Sequence, residues 1–200
     1  MKKLVLVFDA DGVIVSGKKF SQHLEDDHGI TRETTSDFFT GVFNDCLEGK
    51  ADLKEIIEPY LEKWGWGKST DDFLDYWFDA EHSVDMELIE MIQELRKNGT
   101  KCFVATNQET YRTEYMRSKM NFDQWFDDIF SSAYFGVKKP HKSYYQQMID
   151  KIGEDKQSIW FFDDTKENID SANEFGINAV HYTDINVFKS LVRKNKWLDI

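Results

Sequence analysis

Two cysteines in 200 residues are too few for a disulfide framework. Cys46 and Cys102 also stand in unrelated surroundings, and Cys102, inside an apolar run, reads as a small buried residue. That usage suits a reducing compartment. Long apolar runs are missing too. Behind Met1-Lys2-Lys3 only Leu4 to Phe8 are continuously apolar, too short for a signal-peptide core or a membrane span. A soluble, cytoplasmic protein with no membrane partner is expected. Positive charge is scarce: 25 Lys and Arg stand against 37 Asp and Glu, a formal net charge of −12. No basic stripe of the kind that grips nucleic acid is present, so no nucleic-acid partner is expected. The negative excess repels anionic ligands at long range. An anionic substrate therefore needs local cations or a metal. Internal repeats and low-complexity tracts are absent.

What is present suits a packed α/β protein. Apolar residues make up 40% and aromatics 15% of the chain, enough to bury a sizeable core. Leu4-Val5-Leu6-Val7-Phe8 reads as a buried parallel strand ending in the turn Asp9-Ala10-Asp11-Gly12. Cys102-Phe103-Val104-Ala105, Ile159-Trp160-Phe161-Phe162 and Ala179-Val180-His181-Tyr182 read the same way, with Ile129-Phe130-Ser131-Ser132 as a shorter fifth strand. Between them lie helical patterns. One is capped by Asp85 and stopped by Gly99, and one runs from about Gln108 to Met120. Two more end at Gly153 and Gly176. Alternation of this kind implies a parallel sheet covered on both faces.

The stretch from Ser16 to Ser83 breaks the rhythm. It carries only helical stripes, among them Phe38, Phe39, Val42, Phe43, Cys46 and Leu47, with Gly29, Gly49 and Gly65 as punctuation and Pro59 expected to open or bend a helix. Its aromatics read as the core of a small helical bundle. Trp66, between Gly65 and Gly67, is the one set apart from that core. Lys18, Lys19 and His23 read as a solvated helix start.

Chemistry collects at the strand ends. Asp9 and Asp11 follow the first strand, Thr106 and Asn107 the second, and Asp163 and Asp164 the one ending at Phe162. In an open parallel sheet, ligands bind outside the carboxyl ends of the strands, so these groups converge on one crevice. Lys138 and Lys139 reach the same edge from the loop after the short strand. Several carboxylates in one place favour Mg²⁺, with waters and substrate phosphate completing its shell. Two like unit charges 4 Å apart repel by roughly 4 kcal/mol at an effective dielectric of 20, so a carboxylate approaching a phosphate dianion needs a cation beside it. Each motif also has a plainer role: Asp9 to Gly12 as a turn, and Thr106, Asn107, Asp163 and Asp164 as helix caps.

In order, Asp9-Ala10-Asp11-Gly12-Val13, Ala105-Thr106-Asn107, Lys139-Pro140 and Phe162-Asp163-Asp164 with Asn168 and Gly176 resemble the haloacid dehalogenase superfamily, in its phosphatase branch. The likeness runs end to end. It is nearest to small sugar-phosphate phosphatases and to the phosphatase domain of soluble epoxide hydrolase. It implies a Rossmann-like parallel α/β core, residues 1–15 and 84–200, with an inserted helical cap, residues 16–83. It implies Asp9 as nucleophile, forming an aspartyl-phosphate, and Asp11 as acid and then base. Thr106 and the backbone around Asn107 would bind the phosphoryl group, and Lys139 would balance its charge. The implied metal is Mg²⁺, held by Asp9, Asp11 through its backbone carbonyl, Asp164, and Asp163 directly or through water. Asn168 would support rather than react, and Gly12 would let the chain turn toward the cap. His141 stands where the family often has Asp; Lys138 is a rival to Lys139, but the following Pro140 favours the latter. The expected substrate is a small phosphorylated metabolite, a sugar phosphate first, acted on by a monomer or homodimer. Two other activities share this nucleophile. A phosphomutase needs an arginine-bearing cap element, and no arginine lies between Ser36 and Ser83. A dehalogenase needs neither Asp11 nor the Asp163-Asp164 pair.

Overall fold

β1 (Val5–Phe8) is the middle strand of the molecule, with all four residues fully buried. The computed structural model describes residues 4–198; Met1-Lys2-Lys3, which entered the reading of the N-terminus, and residues 199 and 200 lie outside it. Behind β1 come β2 (Lys101–Thr106), β3 (Asp128–Ser131), β4 (Ile159–Asp163) and β5 (Asn178–His181). They form one sheet of order β3-β2-β1-β4-β5, parallel throughout. Each strand expected from the sequence is present within a residue or two. Phe8 pairs with Val104 on one side and Phe162 on the other, so Asp9, Thr106 and Asp163 leave the sheet at the same edge.

The period of two along β1 divides the core. Leu6 and Phe8 join an apolar cluster on one face, and Val5 and Val7 join another on the opposite face. The first face is covered by α6 (Met86–Lys97), α7 (Thr110–Ser118), α8 (Phe122–Trp125) and α12 (Ile185–Asn195). The second is covered by α10 (Lys142–Ile152) and α11 (Lys166–Phe175), with α9 (Ser132–Phe135) at its border. This is the parallel α/β sheet covered on both faces that the sequence implied.

Between β1 and α6 the chain is helical: α1 (Phe20–His28), α2 (Arg32–Asp37), α3 (Phe43–Leu47), α4 (Leu53–Trp64) and α5 (Thr70–Ala80). These helices bury an apolar cluster of their own, rich in aromatics. The segment leaves and rejoins the core at one place, where Val15 bridges Val84 and the Ser16 N–H donates to the Ser83 carbonyl at 2.9 Å. Three expectations change here. The stripe from Phe38 to Leu47 is not one helix, because a π-turn over Phe38–Val42, with Gly41 at φ −106° and ψ −108°, joins α2 to α3 and leaves Val42 exposed. Pro59 sits inside α4, so it does not open a new helix. Trp66 belongs to the bundle core: the left-handed Gly65 turns the chain back, and the indole packs on Phe73 and His28 while its N–H donates to the Ser69 carbonyl at 3.1 Å.

Candidate active site

The turn after β1 is built on the Ala10 carbonyl, which accepts from the N–H groups of Ile14 at 2.9 Å and Val15 at 2.8 Å. Asp9 still hydrogen-bonds into the sheet, its N–H donating to the Phe162 carbonyl at 2.8 Å. Gly12 has φ +85°, and a Cβ there would stand 2.2 Å from Asp164 Oδ2. A side chain at position 12 would therefore expel the Asp164 carboxylate from the edge of the site.

Lys139 lies at the base of the crevice with its side chain 1% exposed. Its Nζ lies 2.9 Å from Asp9 Oδ1 and donates to Asp163 Oδ2 at 2.7 Å and the Ala105 carbonyl at 2.7 Å. Burial disfavours the ammonium, but Asp9 and Asp163 more than compensate, so its pKa is raised and it is a cation. Burial also pushes the Asp9 carboxyl well up; Lys139 opposes this, and Asp163 and Asp11 reinforce it. Asp163 is fully buried and held in place. Its Oδ1 accepts from the Thr165 N–H at 2.8 Å, and Asn168 Nδ2 donates to both its oxygens at 3.0 Å. Asp164 is exposed to the crevice.

Asp9, Asp163 and Asp164 bring carboxylate oxygens within 4.8 Å of one another, a set able to hold a cation. The Asp11 carboxylate is not in that set. It accepts instead from Gln108 Nε2, in the loop between β2 and α7. Although Asp11 is open to the cleft, the surrounding walls strip enough water from its carboxyl to raise its pKa, against the pull of Arg112, Gln108 and Lys139. Thr106 ends β2 at the same edge, 1% exposed. Asn107 clasps the Lys139 loop: its Oδ1 accepts from the Lys139 N–H at 2.8 Å and its Nδ2 donates to the Lys139 carbonyl at 3.0 Å. Glu109, not Thr106 or Asn107, caps α7, accepting from Tyr111 N–H at 2.7 Å and from Arg112 N–H. Lys138 points away and donates to Asn44 Oδ1.

Asp9, Asp11, Thr106, Asn107, Asp164 and Asn168 border one cleft of about 790 Å³ between sheet edge and insert. Three of its residues escaped the sequence reading. Gln108 holds Asp11. Arg112 reaches across the cleft and donates from Nη1 to the Phe78 carbonyl at 2.8 Å and from Nη2 to the Glu81 carbonyl at 2.9 Å. The Glu81 carboxylate accepts from the Phe20 N–H and from Trp77 Nε1, both at 3.0 Å. Gln108 sits one residue beyond a recognised motif, which was the one signal available. Nothing in the sequence marked the other two.

The chain is similar to known proteins in sequence and in fold. A sesquiterpene phosphatase of Aspergillus oryzae is 29% identical over 102 residues, 50% of this chain and 51% of that protein. A glyceraldehyde 3-phosphate phosphatase of Methanocaldococcus jannaschii is 26% identical over 93 residues, 46% of this chain and 41% of that protein. The chain thus spans about half the length of the curated relatives it matches. Among solved structures, a HAD family enzyme of Bacteroides thetaiotaomicron in complex with magnesium and inorganic phosphate superposes with a TM-score of 0.74 at 16% identity, over 89% of this chain and 93% of that one. The L-2-haloacid dehalogenase of Xanthobacter autotrophicus gives 0.65 at 19%, over 90% and 76%. At these identities the two structures speak for the fold. The haloacid dehalogenase-like hydrolase family itself matches residues 6–182, from the second residue of β1 to just beyond β5, and the chain belongs to that family.

Proposed function

We propose that the protein is a Mg²⁺-dependent phosphatase that hydrolyses a small phosphorylated metabolite through an aspartyl-phosphate on Asp9, with residues 16–83 as a cap over the site. The observation that carries this reading is the pairing of buried Asp9 with buried Lys139, 2.9 Å apart, beside a second acid, Asp11, that carries its own hydrogen-bond donor. The two phosphatases among the curated relatives support it.

The donor set fits a hard divalent cation: Asp9, Asp163 and Asp164 offer only oxygen, and Gly12 keeps the space that Asp164 occupies. Asp164 and Asp9 would hold the ion, joined by the Asp11 backbone carbonyl. Asp163 has both oxygens occupied by Lys139, Asn168 and Thr165, so it would act on the ion through a water. Mg²⁺ in that position supplies the positive charge that lets a carboxylate meet a phosphate dianion.

The chain's own groups then carry the reaction. A carboxylate oxygen of Asp9 attacks phosphorus, the ester P–O bond breaks, and Asp11 gives its proton to the departing alcohol oxygen. The raised pKa of Asp11 suits a group that must arrive protonated. Water next attacks phosphorus and gives a proton to Asp11. The bond between Asp9 and phosphorus breaks, and inorganic phosphate leaves. Lys139 stays charged throughout and offsets the negative charge on Asp9 and the phosphoryl oxygens. Thr106 and the backbone around Asn107 would hold the phosphoryl group.

With a panel of phosphate monoesters and Mg²⁺, phosphate release is expected from the native protein and not in excess chelator. Asp9→Asn should lower kcat by at least about 10³-fold with an unchanged circular dichroism spectrum. Retention of a tenth of the rate, or full turnover of a chlorinated acid in chelator, would refute the proposal.

A further inference from the structure

The cap presents an apolar surface to the cleft. Phe39, Phe43 and Leu47 lie four residues apart and remain half-buried once the bundle core has closed, and all three line the cleft that Asp9 and Asp11 border. Trp77 backs them, with the Phe39 ring edge-on at 5.2 Å and the Phe43 ring tilted at 5.5 Å. The π-turn at Phe38–Val42 shapes this surface: it leaves Phe38 fully buried in the bundle and Phe39 and Phe43 facing the cleft. Such turns recur at functional positions within helices.

The two hydroxyls interleaved with these rings are already engaged, while Lys18, Lys19, Ser21 and Arg32 border the cleft elsewhere. Ser36 Oγ donates to the Glu33 carbonyl at 2.9 Å and Thr40 Oγ1 to the Ser36 carbonyl at 2.7 Å. The Glu81 carboxylate is taken by Phe20 N–H and Trp77 Nε1. A polyol seated beside Phe39, Phe43 and Leu47 would need directed partners there, and the hydroxyl protons of Ser36 and Thr40 are committed to the helix backbone. A hydrocarbon chain needs none, and it would cover three side chains that water now wets. The cleft, at about 790 Å³, is also far larger than a phosphoryl group requires.

We infer that the alcohol part of the substrate is an apolar hydrocarbon chain seated on Phe39, Phe43 and Leu47, in place of the sugar suggested by the sequence resemblance. This inference rests on the phosphatase reading of the same cleft. It makes Phe39, Phe43 and Leu47 the residues that set specificity, while Asp9 and Asp11 act on any phosphate monoester that fits.

The test is the steady-state kinetics of ethyl, butyl, hexyl and octyl phosphate with Mg²⁺, against glucose 6-phosphate. All are esters of primary alcohols, so leaving-group chemistry is matched. Acetyl phosphate serves as a small substrate that reports the catalytic groups alone. The expected result is a kcat/KM that climbs by at least about tenfold from ethyl to octyl phosphate and exceeds that for glucose 6-phosphate. In Phe39→Ser and Phe43→Ser the octyl-to-ethyl ratio should fall at least threefold, by about one tenfold step at most, through KM. That ratio is internal to each preparation, so partial misfolding does not alter it. Turnover of acetyl phosphate with a flat chain-length series, or with glucose 6-phosphate preferred, would overturn this inference and leave the phosphatase reading standing. No turnover of acetyl phosphate would overturn both.

Discussion

Lys139 has three N–H bonds and three partners: Asp9, Asp163 and the Ala105 carbonyl. None is left to wander, so the ammonium is fixed beside the Asp9 carboxylate. Against this one cation stand Asp9, Asp163 and Asp164, and the surplus negative charge is what a divalent ion would cancel. Glu109 shows the opposite arrangement, a buried carboxyl beside the site. Burial pushes it up to about 7 from an ordinary 4.5, although two backbone N–H groups of α7 pull it down. Because the folded value is the higher one, the folded state binds the extra proton between pH 4.5 and 7. Stability therefore falls as pH rises through that window and levels off above it. The loss attributable to Glu109 is about 3 kcal/mol. Urea denaturation of Glu109→Gln and the native protein at pH 5 and pH 8 isolates it: the amide keeps a cap acceptor, and the variant's loss between the two pH values should be smaller by that amount. Such residues explain what the sequence hid. Asp9, Asp11, Thr106, Lys139, Asp163 and Asp164 stand in recognisable strings, whereas Arg112 and Glu81 act through a few isolated contacts, which leave no periodic trace.

Helix α7 joins the two halves of the molecule. From it Arg112 holds two carbonyls at the end of α5, its guanidinium lying 5.5 Å from the Phe78 ring and 5.3 Å from that of Tyr115. Tyr111 Oη donates to Asp52 Oδ2 at 2.7 Å, and Ser132, in α9, donates to the Leu47 carbonyl at 2.6 Å. The insert is thereby seated on the core at both ends of the cleft. Arg112→Ala would leave the Phe78 and Glu81 carbonyls without their charged donor in a buried place, and should lower stability by about 2–4 kcal/mol in urea denaturation. An unchanged midpoint would show that water replaces the guanidinium without penalty. The elements themselves were legible because burial writes a pattern: continuous apolar runs for β1, β2 and β4, and helical spacing for α4 to α6. The π-turn at Gly41 and the recruitment of Trp66 to the bundle were not. Both depend on where the chain turns in space, and the glycines on either side of Trp66 read as a loop.

For the whole molecule, the acidic cluster at the sheet edge couples the proposed metal to folding. A ligand that binds only the folded state at 100 times its Kd adds about 2.7 kcal/mol. For a chain of this size that corresponds to a rise in Tm of about 5–10 °C. Differential scanning calorimetry with and without Mg²⁺ should show it, and Asp164→Asn should reduce it; an equal shift in the variant would remove Asp164 from the metal site. Among the described residues no helix is long and apolar enough to cross a membrane. The strand order has one more consequence, which concerns synthesis. β1 leaves the ribosome ahead of both strands it pairs with, β2, starting at Lys101, and β4, starting at Ile159. At roughly 5–20 residues per second the run Val5-Leu6-Val7-Phe8 spends about 5–20 s or longer without a partner on either edge. Of the described elements, the insert is what can fold during that interval. The nascent chain therefore exposes a short, sticky segment just ahead of an already compact bundle, and a chaperone that binds extended apolar peptides has its clearest opportunity there.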